Sequence, residues 1–171
     1  MNRVFKKLVV GSLVASAIVV SVQAEEKFDI GVGYSGMYLG DFIQGVSIRG
    51  WKNKVGLEAT LGHLRMYDDS SDDELVLATG KVMYAPIMNQ NSKFYIGLEA
   101  GTGFYESTAG TSHNKETGYL VRPFFGSEYR FSEIKELGFS WEVGWTHSEL
   151  GSEDSVKLEG TSVSAAIHYY F

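Results

Sequence analysis

The residues best equipped for chemistry include Trp145-Thr146-His147-Ser148-Glu149, which places a base, a nucleophile and a carboxylate in succession. A histidine that activates a serine must share a face with it. On an extended chain consecutive residues point to opposite faces, so His147 pairs with Glu149 and not with Ser148. Catalysis is therefore not expected. Tyr67-Asp68-Asp69-Ser70-Ser71-Asp72-Asp73-Glu74 gathers carboxylate ligands suited to Ca²⁺. It lacks the central glycine and ligand order of a calcium loop, and a solvated acidic tip is the simpler reading. His63, His113 and His168 are scattered, which argues against a multi-histidine metal site. The absence of cysteine removes thiolate metal sites, cysteine nucleophiles and disulfides. No motif implies a cofactor. The remaining set, Arg49, Glu58, Lys81, Glu99, Arg122, Glu128, Arg130 and Glu142, stands singly among apolar residues and calls for a scaffold that brings distant charges together.

Alternation with period two supplies that scaffold. From about Lys27 to Met37, Phe28, Ile30, Val32 and Tyr34 oppose Asp29, Gly31, Gly33 and Ser35. From Gln44 to Trp51, Val46 and Ile48 oppose Ser47 and Arg49; a turn at Lys52-Asn53-Lys54 leads to Val55, Leu57, Ala59 and Leu61 against Gly56, Glu58, Thr60 and Gly62. The fourth run, about Leu75 to Ala85, turns Val76, Ala78, Val82 and Tyr84 one way and Thr79, Lys81 and Met83 the other. Runs around Phe94 to Phe104, Tyr119 to Phe131, Leu137 to Thr146 and Val163 to Phe171 repeat the pattern and make eight strands.

The beginning of the chain reads differently. Arg3, Lys6 and Lys7 precede an apolar stretch from Leu8 to Val22 and then Val22-Gln23-Ala24, the three-part pattern of a secretory signal with cleavage after Ala24. Cleavage leaves residues 25–171 as one domain with 12 basic and 21 acidic residues, a net charge of −9. That charge makes nucleic acid an unsuitable partner. No remaining apolar run approaches the 18 residues of a spanning helix, so any membrane crossing must use strands.

The strand ends decide which face meets lipid, since a lipocalin-like barrel would hold its apolar face inside. Phe28, Tyr84, Phe94, Tyr129, Phe131, Tyr169 and Phe171 fall at one end of the apolar face, and Tyr34, Phe104, Tyr119 and Trp145 near the other. Two aromatic bands match the girdles of a lipid-embedded barrel. The opposite face, rich in glycine with sparse Glu and Arg, suits a narrow lumen. Connections at Lys52 to Lys54, Pro86 to Ser92 and Ser132 to Glu136 are short; those at Arg65 to Glu74, Glu106 to Thr117 and Ser148 to Gly160 are longer, with Met37 to Ile43 an exception. Short periplasmic turns, long external loops and an even strand count leave both termini in the periplasm.

On these residues the chain resembles the family of small outer-membrane β-barrels that includes the OmpA transmembrane domain and OmpX. Val163-Ser164-Ala165-Ala166-Ile167-His168-Tyr169-Tyr170-Phe171 looks like that family's C-terminal assembly signal, carried by Val163, Ala165, Ile167, Tyr169 and Phe171. Tyr95-Ile96-Gly97-Leu98-Glu99-Ala100-Gly101 and Arg122-Pro123-Phe124-Phe125-Gly126-Ser127-Glu128-Tyr129-Arg130-Phe131 are similar to its strands. The resemblance implies an all-β, closed antiparallel up-and-down transmembrane barrel in the Gram-negative outer membrane. Its partners would be outer-membrane lipid, lipopolysaccharide and the barrel-assembly machinery. The sequence ends at Phe171, and a peptidoglycan-binding domain like that of OmpA is not expected. Lipid A deacylases of the PagL type share the architecture but place His and Ser two residues apart, a pattern from which His147-Ser148 departs.

The expected function is non-enzymatic, with external loops contacting host or cell surfaces or lipopolysaccharide, chiefly through Glu106 to Thr117 and Ser148 to Gly160. The alternatives are a narrow porin-like channel and a deacylase-type enzyme. The inward charges fit a gated ion pathway or a structural plug, and the narrowness of an eight-strand interior favours the plug.

Overall fold

The structure, a computed structural model, describes residues 28–40, 42–68, 71–109, 112–150 and 156–171; side chains at 65–73, 106–115, 150–156 and 158 are not described. The signal segment with its cleavage point after Ala24 lies outside these residues, as do Asp69 and Ser70 of the acidic run. Eight strands follow in order: β1 (Asp29–Tyr38), β2 (Phe42–Lys52), β3 (Val55–Asp68), β4 (Ser71–Met88), β5 (Ser92–Ala109), β6 (Ser112–Arg130), β7 (Leu137–Leu150) and β8 (Val156–Tyr170). Each pairs antiparallel with the next, and β8 returns to β1 to close the barrel. Closure satisfies the strand hydrogen bonds without an edge, the condition for a sheet to lie in hydrocarbon.

The alternating apolar residues face outward. Val46, Ile48, Val82, Ile96 and Leu98 are between 51 and 60 % exposed, which no soluble barrel with an apolar interior would show. Aromatic rings bracket this belt. Tyr84, Tyr129, Phe131, Tyr169 and Phe171 are exposed at the periplasmic end, and Tyr34, Phe104, Tyr119 and Trp145 at the other, joined there by Tyr38 and Phe42. Polar tips of the outer band bond to groups beyond them: Tyr34 donates to Gln44, Tyr119 to Glu149 at 3.0 Å and Trp145 Nε1 to Glu159 at 3.4 Å. An apolar ring with a polar handle fits the boundary between hydrocarbon and headgroups.

The inward residues form rows across adjacent strands. Trp51, Gly56, Met83, Gly97 and Phe124 are successive cross-strand partners from β2 to β6. Large side chains alternate with glycine because the lumen has no room for more. A Cβ on Gly56 would lie 2.7 Å from the Trp51 ring, and one on Gly97 2.5 Å from the Phe124 ring. Above this row stands Arg49, Glu58, Lys81, Glu99 and Arg122, then Ser47, Thr60, Thr79, Gly101 and Leu120, then Gly45, Gly62, Leu77, Gly103 and Gly118.

Strand boundaries depart from the sequence reading in one direction: the external segments expected as loops are largely strand. β3 and β4 stay paired to Asp68 and Ser71, β5 and β6 to Ala109 and Ser112, and β7 and β8 to Leu150 and Val156. Outside lipid a strand needs no apolar face, so its ladder continues where alternation stops. The Met37 to Ile43 connection is likewise shorter, with β1 reaching Tyr38 and β2 starting at Phe42. At the periplasmic end β4 continues through Pro86 to Met88, with a register irregularity between Tyr84 and Ile87 that accommodates the missing donor. The Lys52-to-Val55 turn is made by Asn53, whose φ of 55° is a left-handed value that asparagine tolerates.

A closed barrel should migrate differently on gels before and after boiling, and recovery of the protein in the soluble periplasmic fraction would contradict membrane embedding. Gly97→Val should overpack the aromatic row and destabilise the barrel by about 1–3 kcal/mol in urea unfolding, with an unchanged midpoint arguing against tight lumen packing there.

Candidate functional site

The charge row is built by register and parity. The two-residue turn at Asn53 and Lys54 closes Lys52 against Val55 and thereby sets Arg49 opposite Glu58. The following hairpins set Glu58 opposite Lys81, Lys81 opposite Glu99 and Glu99 opposite Arg122. Cross-strand neighbours of opposite sign are the favourable arrangement on a sheet, and here five strands carry an unbroken alternation.

Contacts extend the row across the lumen. Arg49 Nε bonds Glu58, while its two terminal nitrogens lie 3.1 Å from Glu128 and 3.1 Å from Glu142. Lys81 Nζ reaches Glu58 at 3.1 Å and Glu142 at 2.9 Å, and Arg122 reaches Glu99 at 2.8 Å and Glu142 at 3.1 Å. Glu142 of β7 thus receives three cations from three different strands. Glu128 holds the lower end, meeting Arg130 at 3.3 Å and Lys93 at 3.7 Å and accepting hydrogen bonds from Trp51 at 3.2 Å and Tyr170 at 2.7 Å. Arg130 also forms an ion pair with Asp29 at the periplasmic mouth.

Among the described residues, the network joins five cations (Arg49, Lys81, Lys93, Arg122, Arg130) to five carboxylates (Asp29, Glu58, Glu99, Glu128, Glu142), so the lumen is neutral. Neutrality alone does not suffice, because remaining polar atoms must also be satisfied. Hydroxyls on β8 do this for Arg122: Nε donates to Ser162 at 2.8 Å and Nη2 to Ser164 at 3.1 Å. Ser164 donates onward to Glu142 at 2.9 Å, as does Tyr95 at 3.2 Å. Small residues make way for the long arms, since a Cβ on Gly144 would meet Arg122 Nε at 2.6 Å and one on Gly126 would meet Glu142 Cγ at 2.9 Å.

All eight charged residues singled out from the sequence face this network. Sequence reasoning set Asp29 on the inward face without counting it among the charges, and it missed Lys93 and Trp51. Parity could have found these two, because Lys93 shares the face of Tyr95 and Trp51 that of Arg49. Below the charges, Trp51, Met83, Ala85, Tyr95, Phe124 and Tyr170 pack as one buried cluster that fills the periplasmic half. Arg130 stacks on Tyr170, 3.7 Å from its ring centre, and Lys93 stands 4.8 Å from that of Trp51. Buried side chains thus occupy the described part of the lumen from the charge row to the aromatic layer.

The hydrolytic grouping is divided by the wall. Ser148 is buried on the inner face, while His147 faces outward with its ring 6.1 Å from that of Tyr119 and its Nδ1 4.0 Å from Glu159. His63 is also outside, 3.0 Å from Glu74, and His168 is inside, 2.9 Å from Ser47. The side chains of the acidic run from 67 to 73, and of His113, lie outside the described ones. Among the described residues, no three His, Asp or Glu converge as metal ligands.

Truncating one partner of this buried network leaves its carboxylates uncompensated. Arg122→Ala should cost about 3–5 kcal/mol in reversible urea unfolding, whereas Lys157→Ala, at an exposed pair 3.8 Å from Glu149, should cost less than about 1 kcal/mol. Equal effects at the two sites would contradict desolvation of the lumen charges.

No family model matches the chain, and no curated protein matches it. Solved structures do. The N-terminal β-barrel domain of Pseudomonas aeruginosa OprF aligns with a TM-score of 0.59 at 12% identity, covering 84% of this chain and 97% of that one. Neisserial surface protein A aligns with a TM-score of 0.55 at 15% identity, over 84% and 97% of the two chains. A major outer membrane protein from Thermus thermophilus aligns with a TM-score of 0.51 at 11% identity, over 84% and 99%. Identities this low carry the fold and nothing finer. The chain resembles these small outer-membrane barrels in fold: it is a closed, antiparallel, eight-stranded β-barrel with the apolar, aromatic-banded exterior of a transmembrane barrel.

Proposed function

We propose that this protein is a non-enzymatic surface-interaction protein, exported by cleavage after Ala24, that works through the strands and connections it raises above the outer leaflet. The observation that carries this reading is strand length. β4, β5 and β6 run 18, 18 and 19 residues, where about 9–11 suffice to cross a bilayer. The surplus lies at the extracellular end, because the periplasmic turns are short and the aromatic belt stops near Phe104 and Tyr119. A filled lumen leaves this raised surface as the part able to meet a partner of another cell, a host surface or lipopolysaccharide. Its Ser, Thr, Asn and Glu composition suits hydrogen bonding in water.

The closing strand has its own proposed partner. Val163, Ile167 and Tyr169 are exposed on one face of β8, the strand that completes the barrel against β1, and Phe171 is exposed directly after it. That face is what barrel-assembly machinery could read while the strand is still unpaired.

Replacing residues 106–115 with a two-residue turn should abolish adhesion conferred on a non-adherent host strain while preserving heat-modifiability. Undiminished adhesion with the hairpin removed, or no adhesion from the intact protein, would contradict the surface reading. Deleting Phe171 should impair assembly while the exported protein still begins at Glu25, and normal assembly without it would dismiss the proposed assembly signal.

A further inference from the structure

The barrel closes where β1 meets β8, and that seam is short. Its ladder runs from Gly31 opposite Tyr170 to Tyr38 opposite Val163, whereas β5 and β6 stay paired from Ser92 to Ala109. At and just above the charge row β1 offers the lumen only glycine, with Gly31 opposite Arg49 and Gly33 opposite Ser47. Among the described residues, its one member of the ion-pair network is Asp29, at the periplasmic mouth. A strand without lumen side chains is held by its backbone alone unless its neighbours reach over it.

Side chains of β8 do reach over it. Gly33 stands between His168 of β8 and Ser47 of β2 in one inward row, and Gly31 between Tyr170 and Arg49. Both rings lie above the glycines: a Cβ on Gly33 would meet His168 Cδ2 at 2.5 Å, and one on Gly31 would meet Tyr170 Cδ1 at 2.8 Å. From that position His168 Nε2 is hydrogen-bonded to Ser47 Oγ at 2.9 Å, with both side chains buried. The bond joins β8 to β2 across the width of β1. Tyr170 turns the other way and donates to Glu128 of β6 at 2.7 Å, so His168 is the one of the two that fastens the β2 side.

We propose that His168 is a strap over β1, and that its bond to Ser47 sets how readily the β1–β8 seam opens. When β8 parts from β1 it must also part from β2, withdrawing its ring from above Gly33 and breaking the bond to Ser47. Opening therefore costs a buried side-chain hydrogen bond in addition to the ladder, and it leaves both buried partners unpaired.

Amide hydrogen exchange, read residue by residue by NMR on the full barrel refolded in detergent micelles, tests this, because exchange reports local opening. Ser47→Ala removes the anchor of the strap and leaves every ring in place. Amides paired across β1–β8 should then exchange roughly three- to tenfold faster, while those paired across β5–β6 keep their wild-type rates. His168→Ala should give the same pattern at least as strongly. Should His168→Ala fail the gel-shift check for folding, Ser47→Ala alone decides. Faster exchange spread evenly over all eight strands, or wild-type exchange across β1–β8 in Ser47→Ala, would overturn the proposal.

Discussion

A charge placed inside a narrow barrel cannot stand alone. Each ion withdrawn from water costs several kcal/mol unless partners and hydrogen bonds replace its hydration. Much of this barrel follows from that requirement. Arg49, Lys81 and Arg122 are each held by at least two carboxylates, and Glu142 is positioned so that all three cations reach it. The serines of β8 complete the hydrogen bonding of Arg122, and the glycines at 126 and 144 keep clear the space that Glu142 and Arg122 occupy. Interactions from β2 through β8 thus meet in one network, tying the sheet across its diameter as well as around its circumference.

The two faces of the wall obey opposite rules under one period. Outside, lipid demands apolar surface with aromatic borders; inside, volume demands that large residues sit opposite glycine. Trp51, Met83 and Phe124 alternate with Gly56 and Gly97 for the second reason, just as Arg49, Lys81 and Arg122 alternate with Glu58 and Glu99 for electrostatic ones. Beyond the bilayer neither rule applies. There the hairpins β3–β4 and β5–β6 continue through backbone pairing to Asp68 and Ser71 and to Ala109 and Ser112.

That division explains what could be read from sequence. Within the membrane, alternation assigned residues such as Val121, Arg122, Phe124 and Phe125 to faces, because lipid and lumen impose opposite polarity on neighbours. The register of Arg49 with Glu58 could not be read in the same way: a three-residue turn from Lys52 to Lys54 would set Arg49 against Leu57, and the two-residue turn at Asn53 and Lys54 moves it to Glu58. Further pairings depended on turns whose lengths sequence did not resolve, notably where Pro86 lies within β4 and not after it. The ends of β3 to β8 were not legible, since a polar strand in water carries no periodic signal.

The central claim is that the lumen is a neutral, filled core and not a conduit. Purified wild-type protein in a planar lipid bilayer tests it most directly. A filled core gives no steady conductance across ordinary voltages, because the aromatic layer of Trp51, Tyr95, Phe124 and Tyr170 blocks what the charge network leaves open. Stable, ion-selective single-channel steps that change with Arg122→Ala would contradict it and establish a pore through the same residues.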